Sequence, residues 1–273
     1  MRAQVVVNPN SRRGTELGHL VAAELEAHGV AVANGAGAEI DAIVVAGGDG
    51  TFVGQIGRAL RRGIPMGLIP LGTFNDLART LAIPLDVHRA CAIVAAGCTR
   101  PIDVARVNGS YYVNEASIGI SSRIARLQQP ADKRRFGFFA IAASWLQAFA
   151  HARPIRVQVE FDGRCERFKT IQLTVANSNR FGGFVEVAGA SIDDGWLDLY
   201  AVEIRGLFGA FPLARALLGG GTLDMPGLRR FRSRAFEVYT RHPHGIAADG
   251  EPAGKTPARF EVLPKALRVF VPE

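Results

Sequence analysis

The 273-residue chain predicts an α/β N-terminal domain followed by a β-rich antiparallel C-terminal domain, and three observations predict it. Over the first hundred residues, strand-like and helix-like runs alternate, as they do where helices cover a parallel sheet. Beyond Pro101 this gives way to short runs of period-two alternation, the mark of antiparallel strands. The length also exceeds what one ordinary core needs. Two domains are therefore expected, 1–101 and 102–273, divided where Arg100-Pro101 favours an extended connection.

In chain order, the apolar run at Val5 to Asn8 reads as a strand and Gly14 to His28 as a helix. Ile43 to Ala46 reads as a buried strand, Thr51 to Arg61 as a helix and Met66 to Pro70 as a strand. Thr73 to Ala82 reads as a helix ended before Pro84, and Asp86 caps a further helix that runs to Gly97. In the second half, residues 155–161, 167–177, 196–202 and 266–271 read as strands. Helical insertions are expected over 120–150 and 207–218.

Composition excludes several classes. Hydrophobic residues make up 48% and charged residues 21%, so the chain can bury a core and is not disordered. Cys91, Cys98 and Cys165 are too few and too scattered for a disulfide framework or a zinc cluster, which points to a reducing, cytoplasmic setting. The most lipid-like stretch, 137–150, falls short of the roughly 20 apolar residues of a membrane span. A net charge of +7 favours anionic partners such as phosphates or an acidic membrane surface.

Polar, glycine-bearing turns follow three expected strands of the first domain. Ligands of open parallel sheets bind beyond the carboxyl ends of the strands, so these turns should converge. The first turn runs Asn8-Pro9-Asn10-Ser11-Arg12-Arg13-Gly14. The second is Gly47-Gly48-Asp49-Gly50-Thr51, which opens a helix, and the third is Pro70-Leu71-Gly72-Thr73. Glycines let backbone N–H groups approach a phosphate, and a helix N-terminus adds partial positive charge. Asp49 is expected to orient its turn or to reach a magnesium ion. Neither a GxxxxGK[ST] run nor a GxGxxG fingerprint is present in the required context.

With NEASIG (114–119), DGWLD (194–198) and ADGE (248–251), these segments occur in an order that resembles the diacylglycerol kinase catalytic-domain family, which includes sphingosine and ceramide kinases. GGDGT is shared with NAD kinases, whereas PLGTFND followed by a late DGE is more specific. The resemblance covers nearly the whole chain and implies a Rossmann-like first domain of the NAD-kinase and diacylglycerol-kinase type. It implies ATP and Mg2+ as cofactors, with ATP held between the domains by Asn8, Asn10, Ser11, Arg12, Arg13, Gly14, Gly47, Gly48, Asp49, Gly50, Thr51, Thr73 and Asn75. It implies Asp249 as general base with Glu251 beside it, and a second cation on Ser191, Asp194 and Trp196, with a carboxylate from Asp194 and backbone oxygens from Ser191 and Trp196.

The chain departs from the family's pattern in three places. The connection from Val30 to Gly47 is short where relatives carry a further helix. Phe52-Val53-Gly54-Gln55 follows GGDGT where an Asn-Glu pair is common, and the tail after Val271 is brief.

Other features carry less. The pair His242 and His244 reads as a solvated loop rather than half a metal site, and Arg229, Arg230, Arg232 and Arg234 read as the solvent face of a strand. No nucleic-acid platform accompanies them. Lys133-Arg134-Arg135 before Phe136, Phe138 and Phe139 suits peripheral contact with an anionic inner membrane face, where the lipid substrate would lie. An exposed sheet edge would support a homodimer. The expected activity is ATP-dependent phosphorylation of a lipid hydroxyl, with an NAD kinase-like enzyme or a non-catalytic nucleotide- or lipid-binding protein as the alternatives.

Overall fold

The computed structural model describes residues 1–7, 14–33, 39–120, 153–181, 185–186, 189–203 and 227–273. They form two compact units, Met1–Val104 with Pro264–Glu273, and Ala105–Leu263. The tail after Pro264 thus belongs to the first unit, where the sequence alone assigns it to the second. The reason is a strand pairing, since Val269 lies parallel to and in register with Met66.

The first unit contains β1 (Arg2–Val7), α1 (Gly14–Ala27), β2 (Ala31–Val32), β3 (Ala42–Gly47), α2 (Asp49–Arg62), β4 (Met66–Pro70), α3 (Asp76–Thr80) and α4 (Val87–Ala96). The strand order is β2-β1-β3-β4, and the pairings are parallel. Every residue of β3 and β4 is buried, which is why both read as unbroken apolar runs. The chain leaves β1 on one side toward β2 and on the other toward β3. The strand order therefore reverses between β1 and β3, the point at whose carboxyl ends open parallel sheets bind their ligands.

Helix α4 matches its sequence signals, with the Asp86 carboxylate accepting the Arg89 N–H at 2.9 Å and Gly97 closing it at φ 79°. Helix α3 is shorter than the pattern over 73–82 predicts. Asn75 sits in the left-handed region at φ 52°, so the preceding residues turn and the helix starts only at Asp76.

The second unit is an antiparallel sandwich. Strand β5 (Thr99–Val107) enters it and is followed by β6 (Ser110–Tyr112), β7 (Glu115–Gly119), β8 (Ile155–Phe161), β9 (Arg164–Thr170), β10 (Gln172–Ala176), β11 (Arg180–Phe181), β12 (Val185–Glu186), β13 (Leu197–Val202), β14 (Leu228–Ser233), β15 (Ala235–Thr240), β16 (Gly245–Ala248), β17 (Glu251–Lys255) and β18 (Ala258–Phe270). One sheet runs β14-β13-β10-β7-β16-β17; in the other, β15 lies between β18 and the β8-β9 hairpin. Inward residues of both sheets, among them Tyr112, Leu173, Leu199, Phe236 and Phe260, form one core.

The single run expected over 167–177 is two strands. The Thr170 hydroxyl donates to the carbonyls of Gln172 at 2.6 Å and Val202 at 2.9 Å, and the chain changes sheet there. Within β18, Lys265 takes φ 51° beside Pro264, and its N–H reaches the buried Asp103 carboxylate at 2.7 Å. That irregularity marks the point where the strand passes from one unit to the other.

The helical insertions expected over 120–150 and 207–218, with the basic-aromatic segment 133–139, lie outside the described residues. Among the described residues, no helix is long and apolar enough to cross a membrane.

The cysteines differ in exposure, Cys91 being buried and Cys165 exposed. Burial, helped by the nearby Glu24 and Asp86 charges, pushes the Cys91 thiol up to about 12. Alkylation near about pH 8 followed by mass spectrometry is therefore expected to modify native Cys165 and to reach Cys91 only after unfolding.

Candidate functional site

In the first unit, the glycine turn after β3 and the turn after β4 meet backbone to backbone. The Leu71 N–H donates to the Gly47 carbonyl at 2.9 Å. A Cβ on Gly72 would fall 2.6 Å from the Gly48 Cα, and one on Gly48 would fall 3.1 Å from the Gly72 Cα. Only glycine allows this approach. Gly48 precedes α2 in an extended conformation without a side-chain cap, so the first N–H groups of the helix lie beside an unobstructed backbone. Gly50, Gly72 and Thr73 are exposed along this edge. The arrangement suits an anion that bonds to amides.

Two side chains that the resemblance counts among nucleotide contacts hold this edge together instead. The Asp49 carboxylate accepts the N–H groups of Asp76 and Leu77, each at 3.1 Å, and so serves as the N-terminal cap that α3 lacks locally. Burial raises the Asp49 carboxyl above its ordinary range, and those two amides act against the rise. Asn75 is buried; its Oδ1 accepts the Gly72 N–H at 2.9 Å and its Nδ2 donates to the Gly72 carbonyl at 3.0 Å. Thr51 packs under Gly47, where a Cβ would come within 2.9 Å of it. Asn8, Asn10, Ser11, Arg12 and Arg13 lie outside the described residues, and Gly14 opens α1.

In the second unit, strand register gathers three of the sequence motifs at one end of a sheet. Ala176 of β10 lies opposite both Glu115 of β7 and Asp198 of β13, while Ala248 of β16 lies opposite Ala116 and Glu251. Asp249 and Gly250 form the hairpin turn between β16 and β17, at φ 45° and 83°, as an Asp-Gly pair does.

The Asp249 side chain folds back onto the start of β7. Its Oδ2 accepts the Val113 N–H at 2.7 Å, and its Oδ1 accepts those of Asn114 and Glu115 at 3.0 Å each. The Asp249 N–H donates to the Glu115 carbonyl at 2.8 Å. Three successive amides thus fix a half-buried carboxylate. Glu251 is exposed beside it.

Residues that the motifs did not single out support this clamp. The Asn177 side chain donates to the Val113 carbonyl at 2.9 Å, its N–H donates to the Asn114 carbonyl at 2.8 Å, and the Ser178 hydroxyl reaches the Asn114 side chain at 3.3 Å. Tyr112, fully buried, is held neutral by burial first and by the Asp249 and Glu115 charges second. A signal for Asn177 and Ser178 exists in hindsight: VANSNR ends an apolar run on consecutive polar residues, though many loops begin that way.

Around the cation site expected on Ser191, Asp194 and Trp196, several side chains are tied to one another. The Ser191 hydroxyl donates to Asp193 at 2.6 Å, and the Trp196 N–H donates to Asp194 Oδ1 at 3.0 Å. The other Asp194 oxygen is ion-paired with Arg232. Arg232 also reaches the Gly189 carbonyl at 3.2 Å and lies 3.4 Å from Asp198, to which Arg230 donates at 3.0 and 3.2 Å. Burial raises the Asp198 carboxyl and the arginines oppose it. A guanidinium thus neutralises one oxygen of the Asp194 carboxylate.

The arginines of β14 do face solvent, as the sequence reading has it, but Arg229 pairs with Glu203 and Arg234 lies 5.2 Å above the Trp196 ring. His244 turns its Nδ1 onto the His242 carbonyl at 2.6 Å, consistent with a loop rather than half a metal site.

Comparison with known proteins covers both units. A model described as the diacylglycerol kinase catalytic domain matches residues 12–107, and one described as the YegS C-terminal NAD kinase beta sandwich-like domain matches 114–271. The chain is 29% identical to the diacylglycerol kinase of Bacillus subtilis over 293 aligned positions, covering 100% of this chain and 97% of that one. It is 27% identical to the diacylglycerol kinase of Staphylococcus aureus strain Newman, covering 85% of this chain and 75% of that one. A crystal structure of a diacylglycerol kinase from Bacillus anthracis shares the fold, with a TM-score of 0.74 at 20% identity over 99% of this chain and 97% of that one.

Two predictions follow from the charged groups. Asp49→Ala leaves two helix amides without their acceptor and should cost about 1–3 kcal/mol in urea unfolding. Because burial raises the folded-state value, the favourable contribution of the Asp49 titration is full below about pH 4 and is lost as pH rises through the raised value. The stability gap between the wild type and Asp49→Ala should therefore narrow from acid to neutral pH. For the arginine cluster, Arg232→Ala removes a cation shared by Asp194 and the buried Asp198 and should lower the thermal midpoint by about 1 kcal/mol equivalent.

Proposed function

Since the chain belongs to the diacylglycerol kinase catalytic-domain family, we propose that it transfers the γ-phosphoryl group of ATP to the hydroxyl of diacylglycerol or a related lipid. The observation that carries this reading is the three-amide clamp on Asp249 at the ADGE turn. A phosphotransferase needs an oriented acceptor for the proton of an alcohol, and a carboxylate fixed by three amides supports that role.

The glycine edge of the first unit supports the other half of the reaction. At Gly48 and Gly72 a side chain would collide with backbone, so the chain offers amides alone. The backbone of Gly48, Gly50, Gly72 and Thr73 with the N-terminus of α2 would hold the phosphates. ATP as its magnesium complex supplies, when bound, the transferable group and the neutralisation of its charge.

Phosphoryl transfer passes through a loose transition state with little covalent work for the protein, so positioning dominates. The amides of Val113, Asn114 and Glu115 hold the Asp249 carboxylate in place. The carboxylate then aligns the lipid hydroxyl and takes its proton as the new oxygen–phosphorus bond forms. The net charge of +7 supports approach to an anionic bilayer that carries the acceptor.

The test is incubation of purified protein with γ-labelled ATP, magnesium and vesicles that contain diacylglycerol, phosphatidylglycerol, ceramide or sphingosine, with NAD as a soluble acceptor. Labelled lipid is expected. No labelled lipid across the panel, or label in NAD instead, overturns the reading. Asp249→Asn should lower the turnover by roughly 10²–10⁴-fold while the calorimetric affinity for ATP stays near the wild-type value.

A further inference from the structure

Away from the glycine edge, two helices of the first unit bring together three side chains that the sequence motifs do not touch. Glu24 lies in the last turn of α1, and His28 follows four residues later, just past the assigned end of the helix. The His28 N–H still bonds to the Glu24 carbonyl at 3.1 Å, so the two share one face. His88 sits in the first turn of α4, where the Asp86 cap fixes the backbone. One ligand atom from each of Glu24, His28 and His88 lies within 4.8 Å of the other two.

Two imidazoles and a carboxylate that meet in this way are a donor set that first-row metal ions take. His28 Nε2 stands 3.3 Å from Glu24 Oε1, and His88 Nδ1 approaches the same oxygen. Ligand atoms bonded to zinc at about 2.0–2.1 Å in a tetrahedron are separated by about 3.4 Å, so the His28–Glu24 distance already equals one edge. The His28 and His88 rings lie 5.2 Å apart at 47°, tilted rather than stacked. The side chains of Glu24 and His28 are 24% and 29% exposed and that of His88 is 69% exposed, so an ion can reach all three and keep a water ligand.

We propose that Glu24, His28 and His88 bind a divalent transition-metal ion of the zinc class, with solvent as the remaining ligand. Two imidazoles and a carboxylate suit Zn2+ and its neighbours, whereas Mg2+ prefers oxygen and water. The bound ion ties the end of α1 to the start of α4. Because α1 begins at Gly14, directly after the NPNSRR segment, the ion steadies the helix that follows that segment.

The test is calorimetric titration of the untagged, metal-free full chain with zinc chloride. One ion per chain in the micromolar range or tighter is expected, with a thermal midpoint that rises with zinc. His88→Ala and His28→Gln should each weaken binding by at least about tenfold and abolish the zinc-dependent rise. His244→Ala, which alters the other histidine pair, should change nothing. His88 is exposed enough for its replacement to spare the fold, which circular dichroism checks; Glu24→Gln provides a second variant with the same expected loss. Cobalt in place of zinc should give the intense visible absorption of a four-coordinate site. Absence of binding, binding that survives both histidine variants, or binding lost in His244→Ala overturns the proposal.

Discussion

A carboxylate that collects successive backbone amides fixes the candidate site in each unit. Asp49 takes the N–H groups of Asp76 and Leu77, and Asp249 takes those of Val113, Asn114 and Glu115. In both cases an aspartate in a glycine-bearing turn reaches a segment that is far away in the chain and sets where it begins, a helix in one unit and a strand in the other. Hydrogen bonds to a charged acceptor contribute roughly 1.5–3 kcal/mol each, more than neutral ones, so a single side chain can anchor a turn. Desolvation opposes this, and at Asp49 it is the larger influence on the carboxyl.

Glycine is needed where these anchors bring chains into contact. Gly48 and Gly72 touch through backbone, and any side chain at Gly72 would also strike the Asn75 amide that closes the same turn. At the ADGE turn the requirement is conformational. Both residues of the Asp249-Gly250 pair take positive φ, which glycine tolerates freely and aspartate at a modest cost that the three amide bonds offset. The surfaces that could meet phosphate and lipid hydroxyl are thus backbone and carboxylate, with few long side chains among the described residues to move.

Charge is organised on the same principle. The chain carries a net +7, yet the arginines of β14 are matched across the sheet, Arg230 and Arg232 with Asp198, Arg232 with Asp194, and Arg229 with Glu203. Asp198 is nearly inaccessible, so its partners matter more than an exposed pair would. What reads along the chain as a solvent-facing basic stripe is in large part a set of counter-ions.

The strand and helix pattern of the first unit, the Asp86 cap and the Asp-Gly hairpin were legible in the amino-acid order because each depends on residues within a few positions of one another. The meeting of the two glycine turns was legible as a consequence of parallel-sheet topology. Contacts between distant residues were not. Asp49 and its amides are 27 and 28 residues apart, Asp249 and Val113 are 136 apart, and the Glu24–His88 pair is 64 apart. Local order along the chain thus determined the elements and the turn chemistry. Only the packed structure decided that Asp49 and Asn75 act as braces, that Arg232 pairs with Asp194 and Asp198 and that the tail joins the first unit, because those outcomes depend on register and burial that no short window of residues contains.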